Sequence, residues 1–293
     1  MTVELKNDFI TVKIAEQGAE LISITGNDTS IEYIWQADKQ YWGRHAPVLF
    51  PFVGRLKNDE YAYDHKTYKM GQHGFARDML FTAASKSKTS VVLELGSSPE
   101  TISKYPFNFR LRLHYILNNH QIKVIYDVYN PDENPLLFSI GGHPAFNVPL
   151  KNAYLNLENY QIEVAPNVER RQIPLVGPFS DIENAKSVKF NEPIKLSRET
   201  FKNDALIYEL KQLETTVLLS TPEDDHGVSV TLNGADYVGI WSKYPENSPF
   251  VCIEPWWGVA DNIKSTGNLS DKSNIYTLEK NKSFEGSYEI TVF

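Results

Sequence analysis

An all-β fold of antiparallel sheets is what this sequence predicts, on three observations. Short segments of alternating apolar and polar residues recur from one end of the chain to the other. Clusters of Gly, Pro, Asn and Asp separate them, and no helical period is sustained. No fixed-period repeat, low-complexity tract or linker-like stretch divides the chain, so a single domain over 1–293 is expected, most simply a large sandwich.

The elements follow in order. Segments 9–14, 19–24 and 31–35 alternate and are separated by turn residues, which predicts an opening three-strand meander. Segment 42–55 is apolar but holds two prolines and two glycines, too many for a central strand. It reads as an ordered loop presenting Arg55, with Arg44 nearby. Segment 61–68 predicts a small hairpin, and 91–95 a strand. Ser98-Pro99-Glu100 predicts a capped helix start, and Pro106 limits that helix to a short one. Segments 109–117 and 122–129 alternate cleanly around Asn118-Asn119-His120, the clearest hairpin in the chain. His114 shares a side with Arg110 and Arg112, so it belongs to the solvent face. From there to Phe190 the chain is polar and proline-bearing once the 139–147 segment has passed. Further strands are expected at 215–220, 228–232, 237–241, 250–254 and 287–293.

Composition limits the function. The chain has 293 residues, 41% hydrophobic and 23% charged, an ordinary globular profile. A net charge of -8 argues against nucleic acid or an anionic membrane as partner. No apolar run could span a bilayer, and the first residues lack a secretory pattern, so the cytoplasm is the expected location. Cys252 is the only cysteine, which excludes an intrachain disulfide and a cysteine zinc cluster; it reads as an inert core residue. No ligand spacing asks for a metal. Five Trp and 16 Tyr suit a sugar surface but also suit a β core.

Five residues stand out at predicted strand ends or in glycine- and proline-bearing loops. His143 lies between Gly142 and Pro144, which aims one imidazole rigidly. Glu254 ends an apolar strand before Pro255-Trp256-Trp257, where desolvation would strengthen it as a base. Arg55, His73 and Asp204 complete the set, and Gln72 and Arg77 flank His73 on a polar loop. Each has a plain structural alternative: a turn histidine at 143, an arginine-paired acid at 254, surface loop positions elsewhere. An acid and a base of these types suit a proton relay such as sugar mutarotation, which needs no cofactor.

The order of the motifs is more telling than any one of them. Pro47 to Arg55, His73-Gly74-Phe75-Ala76-Arg77-Asp78, Gly142-His143-Pro144-Ala145-Phe146-Asn147, the Asp204 segment and Glu254-Pro255-Trp256 resemble the aldose 1-epimerase (galactose mutarotase) superfamily over nearly the whole chain. The likeness is greatest to its galactose mutarotase-related, LacX-like branch. The resemblance implies a β-supersandwich and interconversion of hexose anomers. It implies Glu254 as general base at the C1 hydroxyl and His143 as general acid at the ring oxygen. His73 would hold and polarise that oxygen, and Arg55 and Asp204 would bind hydroxyls. The Gln72–Arg77 loop is similar to the hexose-6-phosphate 1-epimerase branch, where the equivalent glutamine and arginine help bind a phosphosugar. A non-catalytic sugar sensor is the alternative on the same fold, although binding alone requires no acid–base pair. A glycosidase would pair Asp204 with Glu254 and leave His143 without a role. Monomer and homodimer are both compatible with the sequence.

Overall fold

The cleanest alternation in the sequence becomes the centre of the larger sheet. Arg110–Asn118 and Gln121–Tyr129 pair antiparallel in the computed structural model, which describes residues 1–293. Leu111, Leu113, Ile122 and Val124 point to one face and are fully buried. Arg110, Arg112 and His114 lie on the other face, as expected. Period-2 alternation permits only this division when one face is covered. Nine strands make up this sheet, with Ser283–Val292 and Asp224–Asn233 on one side of the hairpin and Ser90–Gly96 on the other.

The second large sheet has eight strands, most of them short. Its centre is Phe250–Trp257, in which every residue is buried. Tyr237–Trp241 pairs with one side of that strand. Ile140–Gly142 and Ala145–Asn147 pair with the other. The two sheets meet through close contacts. Trp257 packs edge-on against Tyr126, 5.8 Å between ring centroids. A Cβ on Gly286 would lie 2.7 Å from the Trp257 indole, and one on Gly142 would lie 2.5 Å from the Tyr126 hydroxyl. Glycine at both positions is what lets the layers close. A core of 65 buried residues, from Val3 to Val292, joins both sheets and the opening meander. The fold is all-β, as predicted.

Several boundaries differ from the expectation. The meander starts one strand earlier, at Thr2–Lys6, and continues through Ile10–Ala15 and Leu21–Gly26. Segment 31–35 forms only isolated bridges. There the Glu32 carboxylate accepts from the Ile24 and Ile34 N–H groups at 2.9 Å each, in place of ladder bonds. The short helix Pro99–Lys104 carries its Ser98 cap and ends at Tyr105, as predicted. The stretch before Phe190 holds short strands, Gln161–Ala165 and Arg170–Ile173 among them, where the sequence showed only polarity. They are five and four residues long, so local pattern carries little signal. No helix is long and apolar enough to cross a membrane.

Candidate active site

The central strand Phe250–Trp257 divides its side chains by alternation. Val251, Ile253 and Trp257 enter the core between the sheets. Phe250, Cys252, Glu254 and Trp256 project to the opposite face. Glu254 is therefore inside a strand, whereas the sequence reading put it at a strand end.

Opposite Glu254 the ladder is interrupted. Gly141 pairs with Trp256, and Ala145 pairs with Cys252, in a single register. Carried through the gap, that register sets His143 directly across from Glu254. The interruption has a chemical cause: Pro144 and Pro255 each follow one of these residues, and neither can donate to the ladder. His143 instead donates its backbone N–H to Pro47, on the far side, at 3.1 Å. The histidine is thus held by two strands, with its side chain over the third. Directly opposite residues on an antiparallel pair have Cβ atoms about 5 Å apart. His143 Nε2 lies 3.3 Å from Glu254 Oε2.

Both groups are buried; Glu254 is 1% exposed and His143 8%. Burial, then the negative charge of Asp204, holds the Glu254 carboxyl well above the usual carboxylate range, and the Trp256 indole opposes the rise. Burial pulls the His143 imidazole down to about 3 against a backbone hydrogen bond, with the Arg77 and Arg44 charges adding to the fall. Both shifts favour carboxylic acid and neutral imidazole over the ion pair. That state holds the same single proton as carboxylate and imidazolium.

A pocket of about 420 Å³ opens over the pair. Trp42 stacks on His143 at 4.7 Å, and Trp241 meets the imidazole edge-on at 5.7 Å. Trp256 forms another wall. The Trp256 position depends on Gly239, which pairs with Glu254 on the side away from His143. A Cβ there would lie 2.6 Å from the indole.

His73 lies edge-on to His143 at 5.5 Å. Its backbone is left-handed, φ 66°, costing about 1 kcal/mol. Two bonds hold it there. His73 N–H donates to Gly54 O at 2.8 Å, and Gly54 N–H donates to His73 Nδ1 at 3.1 Å. An Nδ1 that accepts leaves the proton on Nε2. Burial lowers the His73 pKa well below its ordinary value, so the ring is neutral and donates from Nε2. The Gln72 side-chain amide comes within 3.3 Å of that nitrogen, and only with its oxygen turned inward does it accept from Nε2.

Asp204 stands at the rim, also left-handed, φ 70°. The surrounding protein raises its carboxyl, against the Ala205 N–H and the Trp241 indole. Arg77 lines the pocket and donates to Gln72 O at 2.6 Å. Lys243, Leu175 and Pro178 complete the mouth.

The pocket thus brings together Glu254, His143, His73, Gln72, Arg77 and Asp204. Arg55 is the correction. Its guanidinium makes two 2.8 Å bonds to Asp59, four residues on, and is 44% exposed outside the pocket. Only its backbone serves the site, where Arg55 O accepts from Asp261 N–H at 3.0 Å, beside the Gly54–Ala260 contact. Arg44 likewise pairs with Asp78, at 2.8 Å. Sequence reasoning missed Trp42, Trp241, Trp256 and Lys243 as wall residues. Their signal was present, since each tryptophan lies in a segment that already held a candidate or a strand.

Comparison with known proteins places this geometry in context. The family described as aldose 1-epimerase matches residues 1–290. Protein LacX (plasmid) of Lactococcus lactis subsp. lactis is 31% identical, covering all of this chain and 99% of the relative. A galactose mutarotase related enzyme from Lactobacillus acidophilus, solved by X-ray, is 41% identical with a TM-score of 0.98, over 100% of this chain and 97% of that one. A galactose mutarotase-like protein from Lactobacillus casei is 30% identical with a TM-score of 0.91, over the whole of both chains.

Proposed function

The chain belongs to the aldose 1-epimerase family, and from that premise we propose that it interconverts the α and β anomers of a hexose. The observation that carries the reading is the buried pair across the strand gap, His143 Nε2 and Glu254 Oε2 at 3.3 Å.

The chemistry follows from the proton count. With sugar bound, the pair rearranges to carboxylate and imidazolium. Glu254 takes the proton from the C1 hydroxyl while His143 gives its proton to the ring oxygen. The bond from C1 to the ring oxygen breaks as the C1 carbonyl forms. The pair is left as carboxylic acid and neutral imidazole, the state that burial already favours. Rotation about C1–C2 presents the other carbonyl face, and the same steps reverse. The neutral His73 donates from Nε2 to the ring oxygen and stabilises charge developing there. Asp204 accepts from hydroxyls at the rim, and the tryptophan faces cover the C–H surface of the ring.

A hexose phosphate is the second reading, favoured by one observation: Arg77 and Lys243 both line the pocket, and guanidinium suits phosphate. Exchange NMR with α-glucose, α-galactose and glucose 6-phosphate tests both. Fast anomer exchange, lost by about 10²–10⁴-fold in Glu254→Gln and in His143→Asn, is the expected result. Exchange with the phosphate ester alone would select the second reading. Sugar binding with no exchange of any anomer would overturn both in favour of a sensor.

A further inference from the structure

The mechanism has no use for Cys252, yet it occupies the same face of the same strand as Glu254, two residues away. Residues at i and i+2 project side by side from a strand. The Cys252 sulfur, a His143 ring nitrogen and a Glu254 carboxylate oxygen all lie within 4.8 Å of one another. Two atoms in this cluster are buried without a hydrogen-bond partner, His143 Nδ1 and Glu254 Oε2. Glu254 is 1% exposed, and its Oε2 faces only His143 Nε2, at 3.3 Å, without a hydrogen bond of its own.

We propose that this cluster is an inhibitory site for a borderline-soft divalent cation of the zinc type, held by Cys252, His143 and Glu254. Thiolate, imidazole and carboxylate together suit Zn²⁺, which imposes little geometric preference of its own. Tetrahedral ligands sit about 3.5 Å apart at ordinary zinc bond lengths. The cluster therefore needs to close by about 1 Å, and its side chains can supply that by small χ adjustments. The fourth position faces the pocket and takes water or a sugar hydroxyl. On binding, the Cys252 thiol proton and the Glu254 carboxyl proton pass to solvent. The resulting thiolate and carboxylate neutralise the cation beside Arg77 and Arg44. Bound metal occupies both groups of the proton relay, so metal and productive sugar binding exclude each other.

Inhibition rests on the anomerase reading, whereas metal binding does not, and the experiment separates the two. The full chain is titrated with Co²⁺ as a spectroscopic stand-in and with Zn²⁺ by calorimetry. One ion per chain and a thiolate-to-cobalt charge-transfer band are expected in the wild type. The band should vanish in Cys252→Ser and in Cys252→Ala, the second serving if a buried hydroxyl impairs folding. Affinity for Zn²⁺ should fall roughly a hundredfold or more, since even an outer-sphere partner is typically worth 10–100-fold. Where anomer exchange is measurable, Zn²⁺ should abolish it and a chelator restore it. Both cysteine variants should keep the exchange and lose most of the zinc sensitivity. Absence of the thiolate band in the wild type, or equal zinc affinity in the wild type and both variants, would overturn the proposal whatever the enzyme's activity.

Discussion

The two large sheets are built on different rules. The nine-stranded sheet is regular at its centre: the hairpin there pairs residue for residue over nine positions and buries only aliphatic and aromatic side chains. The eight-stranded sheet is short-stranded and interrupted by two prolines, with a carboxylate and an imidazole buried where a ladder would otherwise close. Both sheets share one core, and the second gives up regular pairing to hold buried polar groups. Chemistry sits where regular pairing is withheld.

The contrast can be sharpened by substitutions on each side, taken from the largest effect downward. Glu254→Gln should cut anomer exchange by about 10³-fold and, in the same protein, raise the melting temperature by a few degrees. The sign of the second effect follows from linkage. The folded-state pKa of Glu254 is raised. As pH climbs past the ordinary carboxylate value, the unfolded chain ionises first and the native state loses stability. The Gln variant escapes that loss, so its advantage should grow with pH; thermal melts at several pH values check it. A melting temperature below wild type at neutral pH would remove the contrast between the sheets.

Leu113→Ala tests the other side. Leu113 is fully buried in the nine-stranded sheet, and truncation should cost about 2–5 kcal/mol in denaturant unfolding. Exchange kinetics of the folded variant should stay at the wild-type level. Gly239→Ala lies between the two. Its new methyl would meet the Trp256 indole, so kcat/KM should fall by about 10–10²-fold and stability by about 1–3 kcal/mol. Arg55→Ala should have the smallest effect. KM should stay within about twofold, because exposed ion pairs such as the one with Asp59 contribute little. A KM rise well beyond that would mean the guanidinium swings into the pocket on binding.

The same contrast explains what was legible in the sequence. Strands of the nine-stranded sheet near Arg110 to Tyr129 read directly, because one covered face leaves an alternating record. Strand Phe250–Trp257 is buried on both faces, so alternation could not show which residues face the pocket. His143 and Glu254 were recognisable singly, each followed by proline. Their opposition was not, because it depends on register across a gap between segments more than a hundred residues apart. Arg55 stands outside the pocket for a local reason: Asp59 lies four residues on, and sequence alone does not say which of two partners a guanidinium takes. The strands between Gln161 and Val188 went unread because they are two to five residues long, too short to leave an alternating record.

The central claim is that His143 and Glu254 act as one proton-sharing unit. The most direct test is a double-mutant cycle of Glu254→Gln and His143→Asn, read by anomer exchange on the best wild-type substrate. A unit fails once, so the double variant should fall no more than about tenfold below the weaker single variant. Losses that multiply in full would mean two independent groups and would contradict the account.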